Sequence, residues 1–100
     1  MSHFIDQEPS ENLSAPMLDM HRAIRTLSEA LHALDVSNQR HEACTDPELR
    51  LLPAHQRDAG KRKIAMLLEW MRRRDVRLDI ELKEAMFKAG PIIAQYHYEE

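Results

Sequence analysis

The sequence predicts an all-α protein, an antiparallel two-helix hairpin plus a short C-terminal helix, which supplies half of a four-helix bundle and dimerises to complete it. Three observations predict this. Glycine occurs twice in 100 residues while Leu, Ala, Glu and Arg abound, a composition that favours helix. Leu13, Met17, Met20, Ile24, Leu27, Leu31 and Leu34 recur at alternating steps of four and three, an apolar seam with a period of roughly 3.5 residues. The run Ile64 to Met71 is apolar around nearly its whole helical circumference, with Glu69 its only charge. Such a helix must be covered on every side, and a chain this short buries a modest share of its surface alone.

The elements follow in order. Residues 1–13 are acidic and polar, with Pro9 and Ser10, and read as a flexible N-terminal tail. A helical domain is expected over 14–91. Ser14 is a suitable N-cap for the first helix, Pro16 suits its first turn, and Leu13 can staple to Leu18. Ala23 and Ala30 flank the seam and let a neighbouring helix come close, while Arg22, Arg25 and Glu29 point away from it. The seam fades after Leu34, which places the end of the helix between Val36 and Ala43.

The second helix is expected from Thr45 to Arg74, packed antiparallel on the first. Thr45, Asp46, Pro47 and Glu48 fit a capping box with Thr45 as N-cap, and Cys44 and Leu49 have the spacing of a hydrophobic staple. Its seam (Leu49, Leu52, Gln56, Ala59, Lys63, Met66, Trp70) is interrupted by Gln56 and Lys63. Pro53 and Gly60 weaken a helix interior, by about 3 and about 1 kcal/mol relative to Ala, and Pro53 is expected to kink it. Met66 and Trp70 are expected at an interface, Trp70 as the anchor. Asp75 suits the N-cap of a third helix with Leu78, Leu82, Ala85, Met86 and Ala89 on one face, stopped by Gly90 and Pro91. Residues 92–100 form a short amphipathic C-terminal tail that packs on a neighbour.

Charge and cysteine narrow the function. The net charge is −3, yet from Arg50 to Arg74 eight bases face only Asp58 and Glu69. The rest of the chain is therefore strongly acidic, a split that suits self-association as well as an outside partner. Arg72 to Arg74 sit at a helix C-terminus, where the dipole favours bases, so nucleic acid is the weakest of the partner readings. One cysteine, Cys44, excludes an internal disulfide and a cysteine-based zinc site. No signal peptide and no membrane-spanning run is read, and the expected location is cytoplasmic. No Gly-rich phosphate loop and no Ser/His/Asp pattern supports nucleophilic catalysis. The methionines at helical spacing read as core rather than a cofactor box.

Four-helix bundles hold metals through inward carboxylates and Glu-x-x-His pairs. Glu29 and His32 form such a pair, but on the first helix and opposite its apolar seam. His55 and Asp58 lie one turn apart on the second helix. His21, His41 and His97 have no partner at ligand spacing.

The stretch DVSNQRHEACTDPELRLLPAHQRDAGKRKIAMLLEWMRRRD, with ELKEAMFKAGPI after it, resembles the encapsulated-ferritin family of bacteria over roughly Met20 to Ile92. The TDPEL segment, AHQRD, AMLLEWMRRRD and the closing GPI carry the resemblance. It implies a ferritin-like four-helix bundle made by two hairpins, a di-iron ferroxidase site across the dimer interface and a ring-shaped decamer held as cargo in an encapsulin shell. It also implies ligands: a Glu on the first helix and a Glu-x-x-His pair on the second. Those ligands fall here on Ala30, Gly60 and Lys63, so the family's site is expected to be lost and no cofactor is expected. Lys63 would supply the positive charge that iron brought, pairing with carboxylates of another subunit, or would simply reach out to water. No C-terminal targeting tail is read after Glu100. The leading expectation is a homo-oligomer that keeps the assembly without the ferroxidase centre, a structural or regulatory partner in iron storage, co-assembling with an active paralogue or an encapsulin shell. The alternative is an iron-binding ferroxidase using relocated ligands, Glu29 and His32. A weaker alternative is a nucleic-acid-binding helical protein using the basic second helix.

Overall fold

The computed structural model describes residues 8–95, and the outermost parts of both expected tails lie outside them. Three α-helices follow one another: α1 over Ala15–Ala43, α2 over Leu51–Arg72 and α3 over Val76–Ala85. Two 3₁₀ turns flank them, Ser10–Asn12 within the expected tail and Ile92–Gln95. No strand occurs among the described residues, so the all-α expectation holds. The chain divides into two compact units, one ending at Ala65 and one beginning at Met66.

In the first unit, α1 starts where its sequence says. The Ser14 hydroxyl accepts from the Met17 N–H at 3.2 Å, and a proline sits in the first turn, which satisfies one of the orphan donors of that end. Residues 44–50 then reverse the chain. The Arg50 guanidinium Nε donates to the His41 carbonyl at 3.1 Å, tying the end of α1 to the start of α2. Arg40 and Ala43 lie beside Pro53 and Gln56, the register of an antiparallel hairpin.

Two details of this reversal correct the sequence reading. The cap is Asp46, not Thr45: its carboxylate accepts from the Leu49 N–H at 2.8 Å. Residues 47–50 form a hydrogen-bonded turn, and α2 proper begins only at Leu51. Pro53 therefore stands in the first turn of α2, where an N–H would have no partner and proline costs little. It is buried there and is not an interior kink.

The seam on α1 also divides in a way its period did not specify. Among the described residues only Ala23, Ala30, Ser37 and Pro53 are buried. The first three are spaced by seven on one row. The large side chains of the neighbouring row, Met17, Ile24 and Leu31, remain about half exposed, at 53%, 50% and 49%. Met20, Leu27 and Leu34 lie between these extremes. Small residues thus occupy the covered row, and the large aliphatic side chains occupy the open row beside it.

The second unit is an elbow. The Asp75 carboxylate caps α3 by accepting from the Leu78 N–H at 3.0 Å. Arg72 spans the corner: its Nε donates to Glu69 at 2.7 Å, and its Nη1 donates to Asp79 on α3. Arg73 donates to Glu69 at 2.6 Å, and Lys83 pairs with Asp79 at 3.0 Å. Hydrogen bonds from Arg72 and Arg73 hold the Glu69 carboxyl down at about 2. Lys83 and Arg72 likewise lower Asp79. The helix α3 is shorter than expected. It stops at Ala85, before the Gly90–Pro91 pair, because Met86 turns extended and Phe87 takes φ +60°. That left-handed region costs an L-residue roughly 1–2 kcal/mol.

Asp75→Ala removes the α3 cap and should lower unfolding stability by about 1 kcal/mol, read by urea denaturation. Glu69 has a folded pKa below its ordinary value of 4.5. Its contribution to stability is therefore complete above that value and is lost as pH falls towards about 2, because the unfolded state binds the proton first. The melting temperature of the native chain should fall more steeply below pH 4.5 than that of Glu69→Gln. Parallel slopes would show that the carboxylate is not held.

Candidate functional site

The sequence-derived site residues fall into separate places. On α1, Glu29 and His32 are exposed. They lie one turn apart, as the i, i+3 spacing requires, and Ala30 beside them is 6% exposed, in the buried row. On α2, Gly60 is half-buried and Lys63 is exposed. A Cβ added to Gly60 would meet nothing within 4 Å, so no close approach within this chain demands glycine there. No group of three or more His, Cys, Asp or Glu side chains arranged for a metal occurs among the described residues. Glu29 and His32 alone are two ligands, fewer than the four to six that iron-class metals take.

Other groups form the chemistry this chain does present. Along α2 the exposed positions Leu52 and Ala59 share a face with Lys63. They make an apolar strip that ends at an ammonium, and no ion pair of that ammonium occurs among the described residues. In the second unit Met66 is 60% exposed. Trp70 is half-buried, with the Arg74 guanidinium 4.1 Å from its ring centroid. Arg74 also donates to the Trp70 carbonyl at 3.1 Å. The end of α2 is thus closed by cation–π and carbonyl contacts, which suit a base at a helix C-terminus.

Sequence reasoning missed two features. One is the Glu69–Arg72–Asp79 network, whose only local signal was the i, i+3 spacing of Glu69 and Arg72. The other is a pocket of about 400 Å³ at the mouth of the hairpin. Arg40, Ala43 and Cys44 line it from one side, with Leu49, Leu52, Pro53 and Gln56 from the other. Cys44 and Leu49, the expected staple pair, line this pocket, and Leu49 stays exposed. No helix among the described residues is long and apolar enough to cross a membrane.

Comparison with known proteins places this geometry. The EncFtn-like family model matches residues 6–89. An encapsulated ferritin-like protein of Rhodospirillum rubrum is 45% identical over 87 residues, which cover 87% of this chain and 62% of that protein. The chain thus spans less than two thirds of that relative's length. A ferritin-like protein of Thermotoga maritima is 34% identical over 85 residues, covering 85% of this chain and 75% of that one. A crystal structure of a Nitrosomonas europaea protein superposes with a TM-score of 0.82 at 52% identity, over 85% of this chain and 93% of the other. The EncFtn-like family model covers most of the chain, and the chain belongs to that family.

Proposed function

We propose that this chain is an assembly subunit in iron storage, one that pairs into a ferritin-like four-helix bundle but has lost the di-iron ferroxidase centre. It acts as a structural or regulatory partner, alone as a ring such as a decamer, or with an active paralogue or an encapsulin shell. One observation carries the reading: the positions that the family resemblance assigns to iron ligands hold Ala30, Gly60 and Lys63. A methyl and a hydrogen offer iron no lone pair, and a lysine brings hydrogen-bond donors and positive charge but no acceptor. The burial of Ala30 supports the same reading. A carboxylate in that buried row would need a cation beside it, whereas a methyl needs none.

The exposed apolar rows support the pairing. Met17, Ile24 and Leu31 on α1, and Leu52 and Met66 on α2, are all about half exposed or more. Burial stabilises such surface by about 25 cal/mol per Å², so a second copy is the natural cover. Lys63, set in that strip on α2, would meet a carboxylate of the other copy. A second reading keeps iron chemistry and rests on the adjacent exposed Glu29 and His32, completed by ligands from another copy.

Metal-free protein titrated with ferrous iron under oxygen separates the two. The first reading expects oxidation at the buffer rate and no saturable phase. Saturable oxidation that Glu29→Ala or His32→Ala abolishes would establish the second. Light scattering tests the pairing itself: the expected mass is that of a dimer or a multiple of it, and a stable monomer at micromolar concentration would overturn it.

A further inference from the structure

We propose that Phe87 of one copy seats in the hairpin-mouth pocket of a second copy, joining chains knob to hole at a contact distinct from the bundle face. Phe87 is 98% exposed and holds φ +60°. A bulky residue in the left-handed region is a conformational outlier, and such outliers persist where they serve a site. Within the described residues this ring gains nothing from its position: none of them covers it. The backbone presents it outward, with half-exposed Met86 beside it, as an interface anchor is presented.

The pocket has the complementary form. Its volume of about 400 Å³ accommodates a phenyl ring with part of its flanking chain. Ala43, Leu49, Leu52 and Pro53 give it apolar walls. The charges around knob and hole also match. Arg40 stands in the pocket lining, and its side chain has no ion-pair partner among the described residues. Glu84, three residues before Phe87, is exposed and is likewise without an ion pair among the described residues. On the other flank Lys88 follows Phe87, while Glu48 precedes the pocket residue Leu49. A ring seated in the pocket would bring opposite charges together on both flanks. Each copy carries one knob and one hole on separate parts of its surface, so the contact either closes a ring or is made twice across a two-fold axis.

This inference goes beyond the proposed function and does not depend on whether iron is handled. Cys44, the single cysteine, lines the pocket and reports on its occupancy. The test compares the full chain with Phe87→Ala, following mass by light scattering, Cys44 reactivity towards an aromatic disulfide reagent, and helicity by circular dichroism. In the native chain the thiol should react slowly when assembled and quickly on dilution. Phe87→Ala should keep its helicity, fall in mass, react quickly at every concentration and raise the dissociation concentration about tenfold or more. Arg40→Glu and Glu84→Arg should each weaken assembly as separate proteins and recover it when mixed. A fall in mass with a faster thiol supports the contact. An unchanged mass or an unchanged thiol rate in Phe87→Ala overturns it, and if the native chain is then still a dimer the bundle reading stands. A native monomer with a fast thiol overturns both.

Discussion

The burial of small residues, Ala23, Ala30 and Ser37, is the constraint from which the exposure of the rest of α1 follows. These three residues give α1 its only buried row among the described residues. Because the row is made of small side chains, it encloses little apolar volume. The bulkier neighbours on α1 consequently stay uncovered. A single-chain domain ordinarily hides its large aliphatic side chains, since they supply most of its stability. Here Met17, Ile24, Leu31 and Met66 remain outside, and no side chain larger than Pro53 is buried among the described residues.

Charge organises the second unit where apolar burial does not. Arg72 bridges Glu69 on its own helix and Asp79 on α3, so three side chains set the corner that Asp75 begins. These groups are partly exposed, and each pair is modest by itself. Their arrangement as a connected network with a bidentate Arg72–Glu69 contact gives the corner its geometric definition. The acidic partners of the basic stretch are therefore partly internal. That accounts for the Arg72 and Arg73 charges without an external polyanion.

The site residues illustrate how chemistry and packing can change together. In the proposed reading, Ala30 stands where a carboxylate ligand would. In this structure its position lies in the buried row, where a methyl fits and an unpaired anion would be costly. Gly60 and Lys63 sit on more open surface of α2, where substitution meets little resistance from this chain. The three positions thus differ in their surroundings: Ala30 is buried, Gly60 has open space beside it, and Lys63 is exposed.

By itself the sequence determined the elements and their punctuation. The four-three spacing specified α1, Ser14 and Asp75 specified caps, and low glycine content with apolar helix faces specified an all-α chain. These signals are local, because capping and periodicity act within a few residues. The TDPEL, AHQRD and AMLLEWMRRRD segments also carried the family. Tertiary structure decided the rest. A period of roughly 3.5 marks several adjacent rows as apolar but does not say which one goes inside; the structure covers the row of Ala23, Ala30 and Ser37. Asp46 displaced Thr45 as the cap, and Pro53 became a first-turn residue, because the reversal tied by Arg50 to the His41 carbonyl set where α2 could begin. The early stop of α3 at Ala85, the outward Phe87 and the pocket at the hairpin mouth left no periodic trace, since each arises where the chain changes direction and distant residues meet.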